Sequence, residues 1–386
     1  MSRSWDAYGA RYPLFAFTHS DAVCAEVTRA GGVGVLGASS HTPDELEASL
    51  IWIAERADGR PFGVDLLIPT ALGGIDDRAD VTWDQVEAAV PAGHRAFVER
   101  LLDEHDVPKE ASGADVAMFA GDAPMTMGTQ NILDLVEVAL AHPQVRFLVS
   151  ALGPPPARVI DLCHERGVDV GALGGSPRHA AKHVEAGLDF IVAQGTEAGG
   201  HCGEISTMVL VPQMVEAAEG HPVIAAGGVA SGRQMAAAMI LGASGVWCGS
   251  LWLLADEADS TPLQRELLVN ATSANTIRSR SMTGKSCRML TSEWTDAWED
   301  PRNPDPLPMP LQLVLSQPAQ QRIAAGVDQG RPGARALSGG IVGQAVGMLH
   351  ESRPARRILE DVVAEAQQVL AGLADDPRLA WARRPG

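Results

Sequence analysis

The stretch Asp189-Phe-Ile-Val-Ala-Gln-Gly-Thr-Glu-Ala-Gly-Gly-His-Cys-Gly203 decides how this chain is read. Phe190–Ala193 is an apolar run of strand length, Gln194 ends it, and the loop beyond is dense in glycine and carries one acid, Glu197, and one imidazole, His201. A buried strand that opens into such a loop suits a ligand site better than a packed core. Gly199 and Gly200 let backbone approach a planar ligand closely, and His201 is left facing whatever reacts.

Working outward from that strand, short apolar runs alternate with amphipathic, Ala-rich segments from Pro13 to Leu253, the pattern of βα units around a parallel sheet. Eight strands are expected: Pro13–Phe17, Val33–Gly37, Phe62–Ile68, Val145–Ala151, Val168–Leu173, Phe190–Gln194, Val223–Ala226 and Gly245–Gly249. Helices are expected between them, at Ser20–Ala30, Thr42–Ala57, Pro155–Arg166, Pro177–Ala186 and Ser231–Leu241, several opened by Ser, Thr or Pro. Eight such repeats close a barrel. The expected fold class is therefore α/β, a (β/α)8 TIM barrel with an additional, mainly α-helical substrate or lid region.

Two segments break the rhythm. Residues 70–143 read as a helical insertion, and 256–340 as a helical lid, with the proline-rich run Pro301–Pro310 extended. The barrel is then expected from residues 1–255 and 341–386. A length of 386 residues fits that division, since a closed α/β barrel takes roughly 250 residues as one domain.

Composition narrows the partners. A net charge of −18 disfavours nucleic acid and anionic membrane surfaces, which reward clustered Lys and Arg. No apolar run approaches the roughly 20 residues that span a bilayer, and a cytoplasmic protein is expected. Five scattered cysteines (Cys24, Cys163, Cys202, Cys248, Cys287) fit neither a disulfide framework nor a CxxC site and read as reduced thiols. Gly32–Gly37 matches GxGxxG, but there the strand lies within the motif instead of before it, so a dinucleotide fingerprint is rejected. Thr283-Gly-Lys-Ser286 lacks the upstream glycine of a P-loop, Ser279 standing in its place. His179 and His183 share a helix face without an evident carboxylate or thiol partner, and no metal site is expected.

The chemistry concentrates where three glycine-bearing strand ends become neighbours: Gln194–Gly203, Ala225–Gly232 and Trp247–Leu251. In such barrels the last two βα loops bind phosphate through backbone N–H groups, for which Gly227, Gly228, Gly249 and Ser250 are the natural donors. An attached ring would then cross the mouth. Ala16, Phe17 and Thr18 would offer backbone contacts at the first strand, Asp65 would meet polar groups at the third, and Gln194 would bond the ring's polar edge. A flavin mononucleotide (FMN) fits those dimensions; a non-redox barrel recognising a sugar phosphate is the reading from another class.

These residues resemble the FMN-dependent nitronate monooxygenases, formerly 2-nitropropane dioxygenases. Ala193–His201 matches their AQGxEAGGH loop, Ala225–Gly228 their glycine-pair turn and Gly249–Ser250 their closing strand end. Ala30–Gly34, Phe62–Asp65, Ser150–Pro154 and Val342–Gly347 extend the likeness along the chain. The resemblance implies a TIM barrel, non-covalent FMN contacted also at Ser150, and His201 beside the flavin as base or as partner for an anionic substrate. It implies oxidation of alkyl nitronates with O2 as flavin oxidant, with Glu197 a loop anchor. Leu14-Phe-Ala-Phe-Thr18 and Asp65 depart from the family's Ala-Pro-Met and Asn, which keeps open an acyl thioester substrate, dehydrogenated or reduced, gripped by Arg278, Arg280, Lys285 and Arg288. NAD(P)H as a donor and homo-oligomerisation also stay open.

Overall fold

The computed structural model describes residues 8–68, 83–111 and 129–379. Residues 69–82 and 112–128 of the expected insertion, and the chain ends 1–7 and 380–386, lie outside the described residues.

Eight parallel strands close a barrel: β1 (Leu14–Thr18), β2 (Val33–Gly37), β3 (Phe62–Leu66), β4 (Val145–Ser150), β5 (Asp169–Gly174), β6 (Phe190–Gln194), β8 (Val223–Ala226) and β9 (Gly245–Cys248). β1 pairs with both β2 and β9, through Ala16↔Gly34 and Ala16↔Cys248, which seals the ring. The two-residue strand β7 (Gly200–His201) lies outside it, in the loop after β6. The expected (β/α)8 barrel is thus observed.

Both faces of these strands are apolar because both are covered. Phe15, Val35, Phe147, Val149, Phe190, Val192, Ile224 and Trp247 fill the interior. Leu14, Ile191, Val223 and Val246 face the helices on one side, and Leu36, Phe62, Val64 and Leu148 on the other. Two interior positions must be glycine to admit phenylalanine rings: a Cβ on Gly63 would lie 2.0 Å from Phe147, and one on Gly171 2.3 Å from Phe190. Tyr8 plugs the N-terminal end and donates its hydroxyl to Asp169 Oδ2 at 2.7 Å.

The helices Asp21–Ala30, Pro43–Arg56, Ala157–Glu165, Pro177–Glu185 and Gly232–Ile240 stand where sequence places them. The second is closed by a capping box between Thr42 and Glu45. Thr129–Ala141 covers the wall between β3 and β4, and Ala355–Gly372 packs on Gly232–Ile240.

The segments that break the βα rhythm pack together. Val86, Phe97, Val98 and Leu102 from the first share a core with Met289, Trp294, Trp298, Val314 and Ile323 from the second. Within 256–340, beside the helices Pro262–Asn270, Glu293–Glu299, Leu311–Asp328 and Pro332–Leu337, an antiparallel hairpin forms from β10 (Thr276–Ser279) and β11 (Cys287–Leu290). Its β11 edge pairs with β7, Cys287 opposite His201 and Arg288 opposite Gly200. The appendage is therefore stitched by backbone to the loop that carries the imidazole.

Candidate active site at the barrel mouth

Strand parity tells which side chains face the mouth. Because Gly63, Gly171 and Trp247 point inward, so do Asp65 and Leu173, while Phe17 and Gln194 follow Phe15 and Val192. Register levels Gly37 with Asp65, Asp65 with Val149, and Gln194 with Ala226. Phe17 stacks on Trp247 at 6.0 Å between ring centroids.

Gly227 and Gly228 follow β8, both with left-handed backbone at φ +102° and +74°. Only glycine adopts two such values in succession at little cost. The turn lies against the β6 loop: a Cβ on Gly227 would approach Thr207 Oγ1 to 2.9 Å, and one on Gly228 would approach Glu197 Cβ to 3.1 Å. Glu197 ties the two loops together. Its carboxylate accepts from Thr207 N–H at 2.9 Å and from the Thr207 hydroxyl at 2.7 Å, capping the helix Thr207–Ala217, while that hydroxyl also lies 3.0 Å from the Gly227 carbonyl. Glu197 is thus the loop anchor expected of it.

The return segment at Gly343 completes this wall. Gly343 N–H donates to Ser250 Oγ at 2.8 Å, Gln344 N–H to the Glu197 carbonyl at 2.9 Å, and a Cβ on Gly199 would meet Gly343 N at 2.7 Å. Gly199, Gly200, Gly227, Gly228, Gly249 and Ser250 therefore gather on one side of the mouth, with Gln194 at its edge. β3, which carries Asp65, stands four strands away from β8 in the eight-stranded ring, on the opposite wall.

His201 lies in the loop beyond β6, at the C-terminal end of the barrel strands. Its Nε2 lies 2.8 Å from Thr283 Oγ1, and burial, reinforced by the positive charge of Lys285, lowers its pKa to about 4. The ring is neutral at physiological pH. Thr283 is placed from behind: Gln312 Nε2 donates to the Ser281 carbonyl at 2.7 Å, and the Ser316 hydroxyl to the Met282 carbonyl at 2.6 Å. Both donors are buried on the helix Leu311–Asp328. The direction of this bond follows the tautomer: where Nε2 carries the ring proton, Thr283 accepts it, its own hydroxyl facing the Lys285 carbonyl at 3.3 Å, and Nδ1 is the basic nitrogen.

Other residues expected at the site lie on β1 and β4. Ala16 packs outward among the helices, so only its backbone faces the ladder and the mouth. Thr18 Oγ1 accepts from Ser20 N–H at 3.0 Å, and the Ser150 hydroxyl donates to the Ile68 carbonyl at 3.1 Å. The basic residues of the appendage are also engaged. Arg288 is buried and donates to the Thr196 carbonyl at 2.8 Å, Arg280 donates to the Pro306 carbonyl at 2.7 Å, and Arg278 faces Glu204 at 3.8 Å. Lys285 stays exposed.

Sequence reasoning missed Thr283, Thr207 and His19. His19, whose Nδ1 lies 2.8 Å from the Gly37 carbonyl, could have been found from its place directly after Thr18 at a strand end. Thr283 carries no such signal, because its role depends on pairing across 82 residues. Among the described residues no group of His, Cys, Asp and Glu could hold a metal, and no helix is long and apolar enough to cross a membrane.

Comparison with known proteins gives one consistent picture. A family model described as nitronate monooxygenase matches residues 6–365. A Mycobacterium tuberculosis protein named as a monooxygenase is 46% identical over 364 residues, covering 94% of this chain and 96% of that protein. A Staphylococcus saprophyticus protein named as a nitronate monooxygenase is 29% identical over 300 residues, covering 74% of this chain and 77% of that one. Among solved structures, the nitroalkane oxidase from Streptomyces ansochromogenes superposes with a TM-score of 0.76 at 25% identity, covering 96% and 99% of the two chains. FabK from Thermotoga maritima superposes with a TM-score of 0.68 at 24% identity, covering 97% and 99%, which shows a shared fold.

Proposed function

We propose, from the premise that the chain belongs to the nitronate monooxygenase family, that this oxidoreductase holds FMN in its barrel mouth and oxidises alkyl nitronates with O2 as the final acceptor. The observation that carries the reading is the pairing of two features on one mouth: a double left-handed glycine turn at Gly227–Gly228, and a neutral, oriented imidazole at His201.

The close packing of the glycine loops supports a flavin nucleotide as the ligand. An added Cβ on Gly199 would meet Gly343 N at 2.7 Å, one on Gly227 Thr207 Oγ1 at 2.9 Å and one on Gly228 Glu197 Cβ at 3.1 Å, so the three loops are held tightly against one another. Backbone N–H groups of Gly227, Gly228, Gly249 and Ser250 would hold the phosphate, and Gln194 and Asp65 would reach the ring from facing walls. We infer further that residues 1–255 and 341–386 form the flavin-binding barrel and that 256–340, joined to it through β11 and β7, covers the substrate.

Bound flavin supplies the electron-accepting centre; the protein supplies position and proton handling. His201, neutral with Nδ1 free, takes a proton from a carbon acid or accepts a hydrogen bond as substrate charge shifts. Lys285 draws an anionic substrate toward His201 and adds to the effect of burial in keeping that imidazole unprotonated. An arriving anion favours the imidazolium, so substrate binding itself raises the basicity of His201.

The test is anaerobic mixing of the flavin-loaded protein with single donors. A nitronate should bleach the flavin absorbance, and admitted O2 should restore it. Bleaching by an acyl-CoA or by NAD(P)H, with nitronate inert, would overturn the nitronate reading in favour of thioester or nicotinamide chemistry.

A further inference from the structure

Among the described residues the Asp65 carboxyl group has no hydrogen-bond partner. It lies at the C-terminal end of β3, faces the barrel interior and is 2% exposed. Among the described residues no donor or cation reaches its oxygens. Its neighbours at the same level are Gly37 on β2 and Val149 on β4. From the end of β1 comes also His19, hydrogen-bonded to the Gly37 carbonyl on β2 and held neutral by burial; from β4, Ser150 spends its hydroxyl on Ile68. The charged side chains of the helices behind β3, Asp44, Glu45, Glu47, Glu55 and Arg56 on one and Asp134 and Glu137 on the other, belong to the outer side of the wall.

An ionised carboxylate in such a place would have little water and, among the described residues, no partner, which is a costly arrangement in a folded protein. A protonated one costs far less and has an O–H to give. On the opposite wall stand the glycine turns that would fix a phosphate, so a ligand spanning the mouth ends near Asp65. Flavin rings carry several hydrogen-bond acceptors along one edge.

We propose that Asp65 recognises the flavin as a neutral carboxylic acid, donating a hydrogen bond to an acceptor atom of the ring. The inference rests on FMN occupying the mouth. Burial alone pushes the Asp65 carboxyl well above the ordinary carboxylate range, consistent with the geometry. A carboxylic acid enclosed by apolar groups stays protonated at neutral pH and can donate in this way. The corollary is a pH-dependent cofactor affinity. Binding is full while Asp65 keeps its proton and weakens about tenfold per pH unit above its titration.

Two measurements test this. The first is the FMN dissociation constant, read from flavin fluorescence between pH 6 and 9, for wild type, Asp65→Asn and Asp65→Leu. Asn keeps an N–H donor without a titration. It should bind within about threefold of wild type at pH 6 and lose the alkaline weakening, whereas Leu should bind about tenfold more weakly throughout. Wild-type affinity that is flat or rises with pH, or an Asn variant as steep as wild type, overturns the proposal. The second is the infrared difference between wild-type and Asp65→Asn apoprotein at pH 7, where a protonated-carboxyl band should belong to wild type alone. A protein that binds FMN but lacks this band overturns the proposal by itself; failure of all three proteins to bind FMN at any pH overturns the flavin reading as well.

Discussion

His201 Nε2 and Thr283 Oγ1 meet at 2.8 Å across 82 residues of sequence, joined through the pairing of β7 with β11. The barrel supplies the imidazole and the appendage supplies the group that orients it. Neither part alone makes the site, which ties the proposed chemistry to the docking of the two.

His201→Asn should keep the fold and bound FMN while lowering turnover by roughly 10²–10⁴-fold, the usual contribution of a positioned acid or base. Flavin content and steady-state rate, measured on one preparation, check this. Undiminished turnover would reduce His201 to a packing residue.

Thr283→Val removes the hydroxyl that holds Nε2 and keeps the volume. The expected result is a drop in kcat of about tenfold with KM little changed, and recovery with Thr283→Ser. Equal loss in both variants would mean that the methyl group, not the hydroxyl, matters.

The pH profile follows from the direction of the His201 shift. A base with its pKa lowered to about 4 is unprotonated across pH 6–8, so kcat/KM should be flat there and fall only on the acid side. Lys285→Met removes a neighbouring positive charge, favours the imidazolium and should move that acid limb to higher pH.

Stability should fall on acidification for a related reason. His183, buried at 1% exposure with Nδ1 unbonded, is also lowered to about 4. The unfolded chain takes up these protons near pH 6.5 and the folded one only near 4, so stability is full above about 6.5 and declines between those values. Thermal unfolding of His183→Leu should show a shallower decline.

Gly228→Ala places a side chain at φ +74° with its Cβ 3.1 Å from Glu197 Cβ. The left-handed backbone costs about 1–2 kcal/mol for an L residue, so FMN binding, folding stability or both should weaken by about tenfold. Titration of the variant with FMN, alongside its melting temperature, apportions the loss.

The barrel strands were legible within a residue or two because each is apolar on both faces and bounded by turn residues, as at Val33–Gly37 and Phe190–Gln194. Their closure follows from counting eight. The glycine turns were legible as phosphate donors, yet their attachment to Glu197 and Thr207 was not, since a carboxylate that caps a helix ten residues on leaves no periodic trace. The hairpin β10–β11 was missed because Thr276–Ser279 and Cys287–Leu290 are four residues each and carry arginines, so they read as a basic stretch. Pro318 and Pro212 interrupt helices that continue through them, hiding the helix that supports Thr283 and the one capped by Glu197.

The most direct test of FMN binding at the barrel mouth is a crystal structure of the protein grown with FMN. Density should show one nucleotide in the mouth, its phosphate against Gly227–Gly228 and Gly249–Ser250, its ring between Gln194 and Asp65, and His201 facing the ring. A phosphate held elsewhere, or an imidazole turned from the ring, would contradict it.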